Sequence, residues 1–111
     1  MAVRLSAKIT FGQQLRLYRE RAGLTQEEFA DLHKTDKSFI TKVENGKTAV
    51  GIDLIEAYAK TFGVEYYELG NPNFKIPALS RMPTALRQYI AKVKEDRNAR
   101  KQEPGLAIPW R

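Results

Sequence analysis

Residues 25–46, TQEEFADLHKTDKSFITKVENG, constrain the fold more than any other stretch of the chain. They read as two short helices joined by a tight turn. Thr25 is placed to cap the first, because its hydroxyl can accept a backbone N–H left free at a helix start, and Glu28, three residues on, can reach back to complete a capping box. Glu27 and Glu28 put negative charge at the positive end of that helix. Phe29, Ala30 and Leu32 supply an inward face. The pattern breaks at His33-Lys34-Thr35, and Asp36 restarts it as an N-cap. Phe39, Ile40 and Val43 then recur at three- and four-residue spacing. Gly46 follows the last periodic residue, where a left-handed backbone stops a helix most easily.

Two helices of about two turns each cannot bury enough apolar surface to be stable alone. The flanking sequence supplies a scaffold. Residues 1–9 are expected to be a loose arm. Residues 10–22 read as a helix capped by Thr10, with Phe11, Gln14, Leu15 and Tyr18 inward and Arg16, Glu20 and Arg21 outward. Gly23 ends it and Leu24 turns inward. Residues 47–50 read as a loop. A core helix then carries Ile52, Leu54, Ile55, Tyr58, Ala59 and Phe62 and stops at Gly63. A short turn follows, in which Tyr66 and Leu69 are expected to close the core.

Gly70-Asn71-Pro72-Asn73 breaks the chain and marks a boundary. Beyond it, residues 74–79 look extended. A last helix is expected over about 83–101, with Pro83 in its first turn, Leu86, Tyr89, Ile90 and Val93 on its apolar side, and Pro104-Gly105 ending it. The tail from Leu106 to Trp110 is apolar and unpatterned. The expected architecture is all-α: an arm (1–9), a five-helix domain (10–70) and a C-terminal extension (71–111).

The outer face of the second short helix presents Lys37, Ser38, Thr41, Lys42 and Asn45. A short helix with a polar, cationic outer face fits the major groove of DNA. Lysine can donate to the O6 and N7 acceptors of guanine, and the threonine methyl can meet the methyl of thymine. Lys37, Ser38, Thr41 and Lys42 are therefore candidates for base contact, with phosphate contact or plain solvation as the alternatives for each.

Charge alone says less. The chain carries a net charge of +6, but residues 1–80 hold 11 Lys/Arg against 10 Asp/Glu, whereas residues 81–111 hold 8 against 3. The excess lies in the extension. With no cysteine and one histidine among 111 residues, a thiolate site, a disulfide framework and a histidine-rich metal site are all excluded. No nucleophile–base pairing and no phosphate loop appear, so neither a catalytic residue nor a cofactor is expected. No stretch approaches the ~18 apolar residues of a membrane span, and the first residues lack a signal-peptide core. The expectation is a soluble cytoplasmic protein that is not an enzyme.

Residues 10–69 resemble the helix-turn-helix family of phage Cro and phage repressor proteins. The resemblance rests on Leu15 and Arg19, on Leu24-Thr25-Gln26-Glu27-Glu28-Phe29-Ala30, on Ile40 with Val43-Glu44-Asn45-Gly46-Lys47, and on Ile52, Ala59 and Phe62-Gly63-Val64. It implies a five-helix repressor-like domain that binds double-stranded DNA, usually as a homodimer. It also implies that Gln26 touches a phosphate, that Asn45, Lys47 and Thr48 lie along the DNA backbone, and that Arg19 and Glu44 form a partly buried structural ion pair. Lys34 could add charge beside the DNA. Where the family usually carries an apolar residue, a glycine and another apolar residue in the turn, this chain has His33, Lys34 and Thr35. Lys34 is thus expected at positive φ, at a cost of ~1 kcal/mol, unless the turn closes differently with Leu32 as its buried contact.

The extension has two readings that can operate together. Its apolar half can pack on the domain or on a second subunit, and Lys92, Lys94, Arg97, Arg100 and Lys101 can add nonspecific DNA affinity. Tyr89 and Trp110 are candidate anchors for a protein partner or a dimer mate. The leading functional reading is a sequence-specific transcriptional regulator, a repressor acting on a pseudo-palindromic operator. The alternatives are the DNA-binding antitoxin of a toxin–antitoxin pair, its extension covering the toxin, and a protein-interaction module that kept the fold without DNA binding.

Overall fold

Helix boundaries in this chain are set by short-range hydrogen bonds that the sequence makes visible. The computed structural model describes residues 7–107, with side chains described for 8–99. Six α-helices and one 3₁₀ turn follow in order: α1 (Ala7–Ala22), α2 (Gln26–Leu32), α3 (Lys37–Glu44), α4 (Ile52–Phe62), α5 (Tyr66–Leu69), the 3₁₀ turn (Leu79–Arg81) and α6 (Thr84–Ala107). There is no strand among the described residues.

The capping box at α2 is complete: Thr25 Oγ1 accepts from the Glu28 N–H at 3.0 Å and Glu28 Oε1 accepts from the Thr25 N–H at 2.9 Å. Asp36 caps α3 by accepting from the Phe39 N–H at 2.8 Å. At the other ends, the chain closes α2 and α3 in the same way. The N–H groups of Lys34 and Thr35 bond back to Asp31 and Ala30, and those of Gly46 and Lys47 bond back to Val43 and Lys42. This closure needs one residue in the left-handed region. Gly46 takes it at φ 69° and Lys34 at φ 56°, Lys34 being the one non-glycine residue at positive φ among the described residues. The turn therefore closes in the family's manner despite its side chains. Leu32 packs against the core, and His33 joins it, its ring 4.7 Å from that of Phe29 and 4.8 Å from that of Tyr58.

The core gathers Leu15, Tyr18, Phe29, Ile40, Val43, Tyr58, Phe62 and Leu69, all at or near zero exposure. Fully burying one side chain of this size contributes roughly 1.5–3 kcal/mol. The same core includes Met82, Leu86, Ile90 and Val93. The apolar half of the extension thus packs on its own domain. Its route there is visible in three contacts. Gly70 sits beside the Phe11 ring, Arg21 Nη1 donates to the Ile76 carbonyl at 3.2 Å, and a β-carbon at Gly63 would come within 2.9 Å of Pro83 Cδ.

Several expectations are corrected. Helix α1 begins at Ala7, so Thr10 lies inside it and caps nothing, and of the expected arm residues 1–6 lie outside the described residues. The earlier start has a packing reason: Gly46 accepts the first turn of α1 so closely that a β-carbon there would lie 2.7 Å from Ile9 Cγ1. Tyr66 does not close the core. It is exposed, as are Tyr67 and Ile52, while Leu69 is buried. A four-residue helix turns only one face inward, and Leu69 takes it. Helix α6 starts one residue after Pro83 and continues through Pro104 and Gly105 to Ala107. Trp110 lies outside the described residues.

Candidate nucleic-acid interface

Helix α3 is amphipathic, and packing decides which face is left open. Ile40 and Val43 are sealed in the core, with Glu44 beside them. Lys37, Ser38, Lys42 and Asn45 are consequently exposed, and Lys47 joins them from the closing turn. With the half-buried Thr41 these side chains line one shallow, open depression. The exposed charges over residues 36–48 are Lys37, Lys42, Lys47 and Asp36. One oxygen of the Asp36 carboxylate is turned to its own helix as a cap, so the outward face of α3 is cationic.

The acidic residue that would oppose this charge is turned inward. Glu44 Oε2 accepts from Arg19 Nε at 2.6 Å, and Oε1 accepts from Arg19 Nη2 at 3.1 Å. The carboxylate side chain is 1% exposed. Arg19 Nη1 also donates to the Leu24 carbonyl at 2.8 Å, so one guanidinium joins α1, the following turn and α3. The ion pair between Arg19 and Glu44 is thus present and bidentate.

Gln26 extends this network. Its amide nitrogen donates to Glu44 Oε1 at 3.0 Å, and its amide oxygen accepts from the Thr41 hydroxyl at 3.0 Å. Thr41 also lies within donating distance, 2.9 Å, of the Lys37 carbonyl. Two expected DNA ligands are therefore bound within the subunit. Gln26 keeps one amide N–H for an outside acceptor, and Thr41 offers its methyl group rather than its hydroxyl proton. Both tie α2 to α3, a role that residue spacing did not reveal. Thr48, half-buried, turns its hydroxyl to the Ala49 carbonyl at 3.4 Å. Lys34 is exposed in the turn.

A second contributor is Gly12, which sequence reading passed over. A β-carbon there would lie 2.2 Å from the Val43 carbonyl oxygen and 2.7 Å from that of Glu44. The backbone of α1 rests directly on the last turn of α3, a contact that only glycine permits. Its signal is a lone glycine inside a helical pattern.

His33, the single histidine, has a structural place. Its Nε2 lies 3.1 Å from the Thr61 hydroxyl, and burial lowers its pKa to about 4, leaving the ring neutral. Burial likewise pushes the Tyr18 and Tyr58 hydroxyls up to about 12. Tyr89, offered as an anchor for a partner or dimer mate, donates its hydroxyl to the Glu28 carbonyl at 2.7 Å within the same chain. Arg97 is likewise engaged, on the Glu28 carboxylate. No group of acidic, histidine or cysteine side chains among the described residues could hold a metal ion, and no helix among them is long and apolar enough to cross a membrane.

An all-α bundle holding two short helices at a four-residue turn, the second with its polar face outward, defines a helix-turn-helix domain. Residues 10–71 match the family described as helix-turn-helix domain. The chain belongs to this helix-turn-helix family. It is 39% identical over 51 residues to a competence pilus inhibition repressor of Acinetobacter baylyi, a match covering 46% of each chain. It is 35% identical over 63 residues to the control protein C.MunI of a Mycoplasma species, covering 56% of this chain and 85% of that one. The chain thus spans just under half the length of the Acinetobacter relative. Among solved structures it is similar to a hypothetical transcription factor, NHTF, from Neisseria, with a TM-score of 0.57 at 26% identity over 66% of this chain and 88% of the other.

Proposed function

We propose that this chain is a transcriptional repressor that binds a pseudo-palindromic operator as a homodimer, with α3 lying in the major groove. The observation that carries this reading is the single open face of Lys37, Ser38, Lys42, Asn45 and Lys47 on a helix whose other face is locked to α1 and α2. Lys37, Ser38 and Lys42 read base edges, with the Thr41 methyl beside them. Lys34, Asn45, Lys47, Thr48 and the remaining N–H of Gln26 hold phosphates, which sets register without choosing sequence. Two copies would place their α3 helices on half-sites ~10 bp apart or a multiple of that. Leu86, Ile90 and Val93 of α6 are buried on its own domain, so among the described residues nothing favours the antitoxin reading.

The test is selection of bound duplexes from a random pool, repeated with Lys37→Ala and Lys42→Ala. A lost base contact relaxes choice at one position and costs ~1–3 kcal/mol, while a lost phosphate contact weakens all sequences alike. A recovered pool with no preferred sequence, or binding indifferent to salt, overturns the proposal.

A further inference from the structure

Glu28 is the most heavily engaged residue of the helix-turn-helix: it bonds to Thr25 beside it and to Arg97 and Tyr89 of the extension. Its own N–H and its carboxylate form the capping box with Thr25. From α6, Arg97 Nε donates to Glu28 Oε2 at 2.8 Å, and Arg97 Nη2 donates to Glu28 Oε1. The same Nη2 reaches the Gly23 carbonyl at 2.9 Å, and the Tyr89 hydroxyl occupies the Glu28 carbonyl. The Arg97 hydrogen bond is the main reason the Glu28 carboxyl sits below its ordinary range. Two residues of α6, about two turns apart, therefore clasp α2, and Arg97 reaches the turn before it as well. Two residues upstream of Glu28, Gln26 bonds to Glu44 and Thr41 of α3. Gln26, Arg97 and Lys37, the first residue of α3, border one open depression.

We infer that Arg97 is a positioning residue for DNA reading: through Glu28 and Gln26 it sets the angle at which α3 is presented. The inference rests on the DNA-binding reading above. It reassigns a cation that residue spacing offers as a phosphate ligand, because two of its three guanidinium nitrogens are already directed at Glu28 and Gly23.

The probe is a duplex recovered from the random pool by the wild-type full chain. It is titrated against Arg97→Gln, Glu28→Gln, their double variant, Arg97→Lys and Tyr89→Phe, each below its melting temperature. Glu28→Gln retains a capping side chain, so that variant folds. The two single variants are expected to weaken operator binding about tenfold, with the double variant no weaker than either, the signature of residues acting through one contact. The salt slope stays that of wild type, because no phosphate contact is lost. Arg97→Lys recovers little of the loss, since one ammonium cannot reproduce the fork. Tyr89→Phe loses about two- to threefold, as one hydrogen bond of modest net strength is removed. Folded variants that bind like wild type overturn the inference. So does an Arg97→Gln variant that lowers the salt slope by about one while Glu28→Gln has no effect, which makes Arg97 a phosphate ligand. If the wild-type chain recovers no duplex at all, the functional reading itself falls, and this inference falls with it.

Discussion

Two arginine–glutamate pairs hold the helix-turn-helix, one on each flank, and they work under different physical conditions. Between α1 and α3, Arg19 and Glu44 side chains are 10% and 1% exposed. Between α6 and α2, Arg97 and Glu28 are 34% and 19% exposed. A pair taken out of water is costly to break, because the surviving charge is stranded. A pair that water still reaches contributes little to stability and can act chiefly on geometry. The first joint thus belongs to folding and the second to positioning.

The largest effect is expected from the buried joint. Glu44→Ala should lower stability by ~3–5 kcal/mol, because Arg19 is left uncompensated. Thermal unfolding measures it, and a variant that keeps its melting temperature yet loses DNA binding would contradict the assignment. Gly12→Ala attacks the same joint without touching charge. A methyl group at 2.2 Å from a backbone oxygen cannot be absorbed by a side-chain rotation. Moving α1 off α3 should cost ~1–3 kcal/mol or more, read as a lowered urea midpoint. An unchanged midpoint would show that the two backbones are further apart than described.

A third joint is made without any charge and so responds to pH. His33 is held neutral against Phe29 and Tyr58 with its pKa at about 4, against an ordinary 6.5. Between those values the unfolded chain binds a proton that the folded chain refuses. Stability is therefore full above about pH 6.5 and falls as the pH drops toward 4. Because the ring is partly exposed, the loss should be roughly 1–2 kcal/mol rather than the whole of the shift. His33→Leu should flatten this part of the profile, and an unaltered profile in that variant would place the titration elsewhere.

Next in size is the turn itself. Lys34→Gly relieves a side chain held at φ 56° and should stabilise the domain by ~0.5–1 kcal/mol. A lower melting temperature would mean that the lysine stem contributes packing of its own. The smallest stability change belongs to the exposed joint: Arg97→Gln should cost less than ~1 kcal/mol. A loss as large as that of Glu44→Ala would erase the distinction between the two joints.

The sequence and the structure divide this molecule in an instructive way. The caps and closures of α2 and α3 were legible because they depend on residues three to six apart, whereas the expected cap at Thr10 and stop at Pro104-Gly105 were not borne out. The positive φ at Lys34 was expected only through resemblance to a family, but Thr25 with Glu28, Asp36 before Phe39 and Gly46 after Glu44 all follow from local hydrogen-bond geometry. The outward face of α3 was legible for the same reason, since helical spacing alone separates Lys37, Ser38 and Lys42 from Ile40 and Val43. Arg19 and Glu44, 25 residues apart, were paired only through resemblance to a family.

Other features required three dimensions. Tyr66 and Tyr67 carry the same apolar promise as Tyr58, yet only packing put Tyr58 inside and left them exposed. Gln26 and Thr41 were offered only as ligands for DNA, and the fold alone showed that they also bond to each other and, through Gln26, to Glu44. Gly12 could be read as an ordinary helical glycine, because nothing in α1 announces that another helix ends against it. Most plainly, Arg97 and Tyr89 lie 69 and 61 residues from Glu28 along the chain. Local periodicity determined which residues each helix turns inward or outward. Which helix then meets which depends on summed burial across the whole chain, and only the folded core decided it.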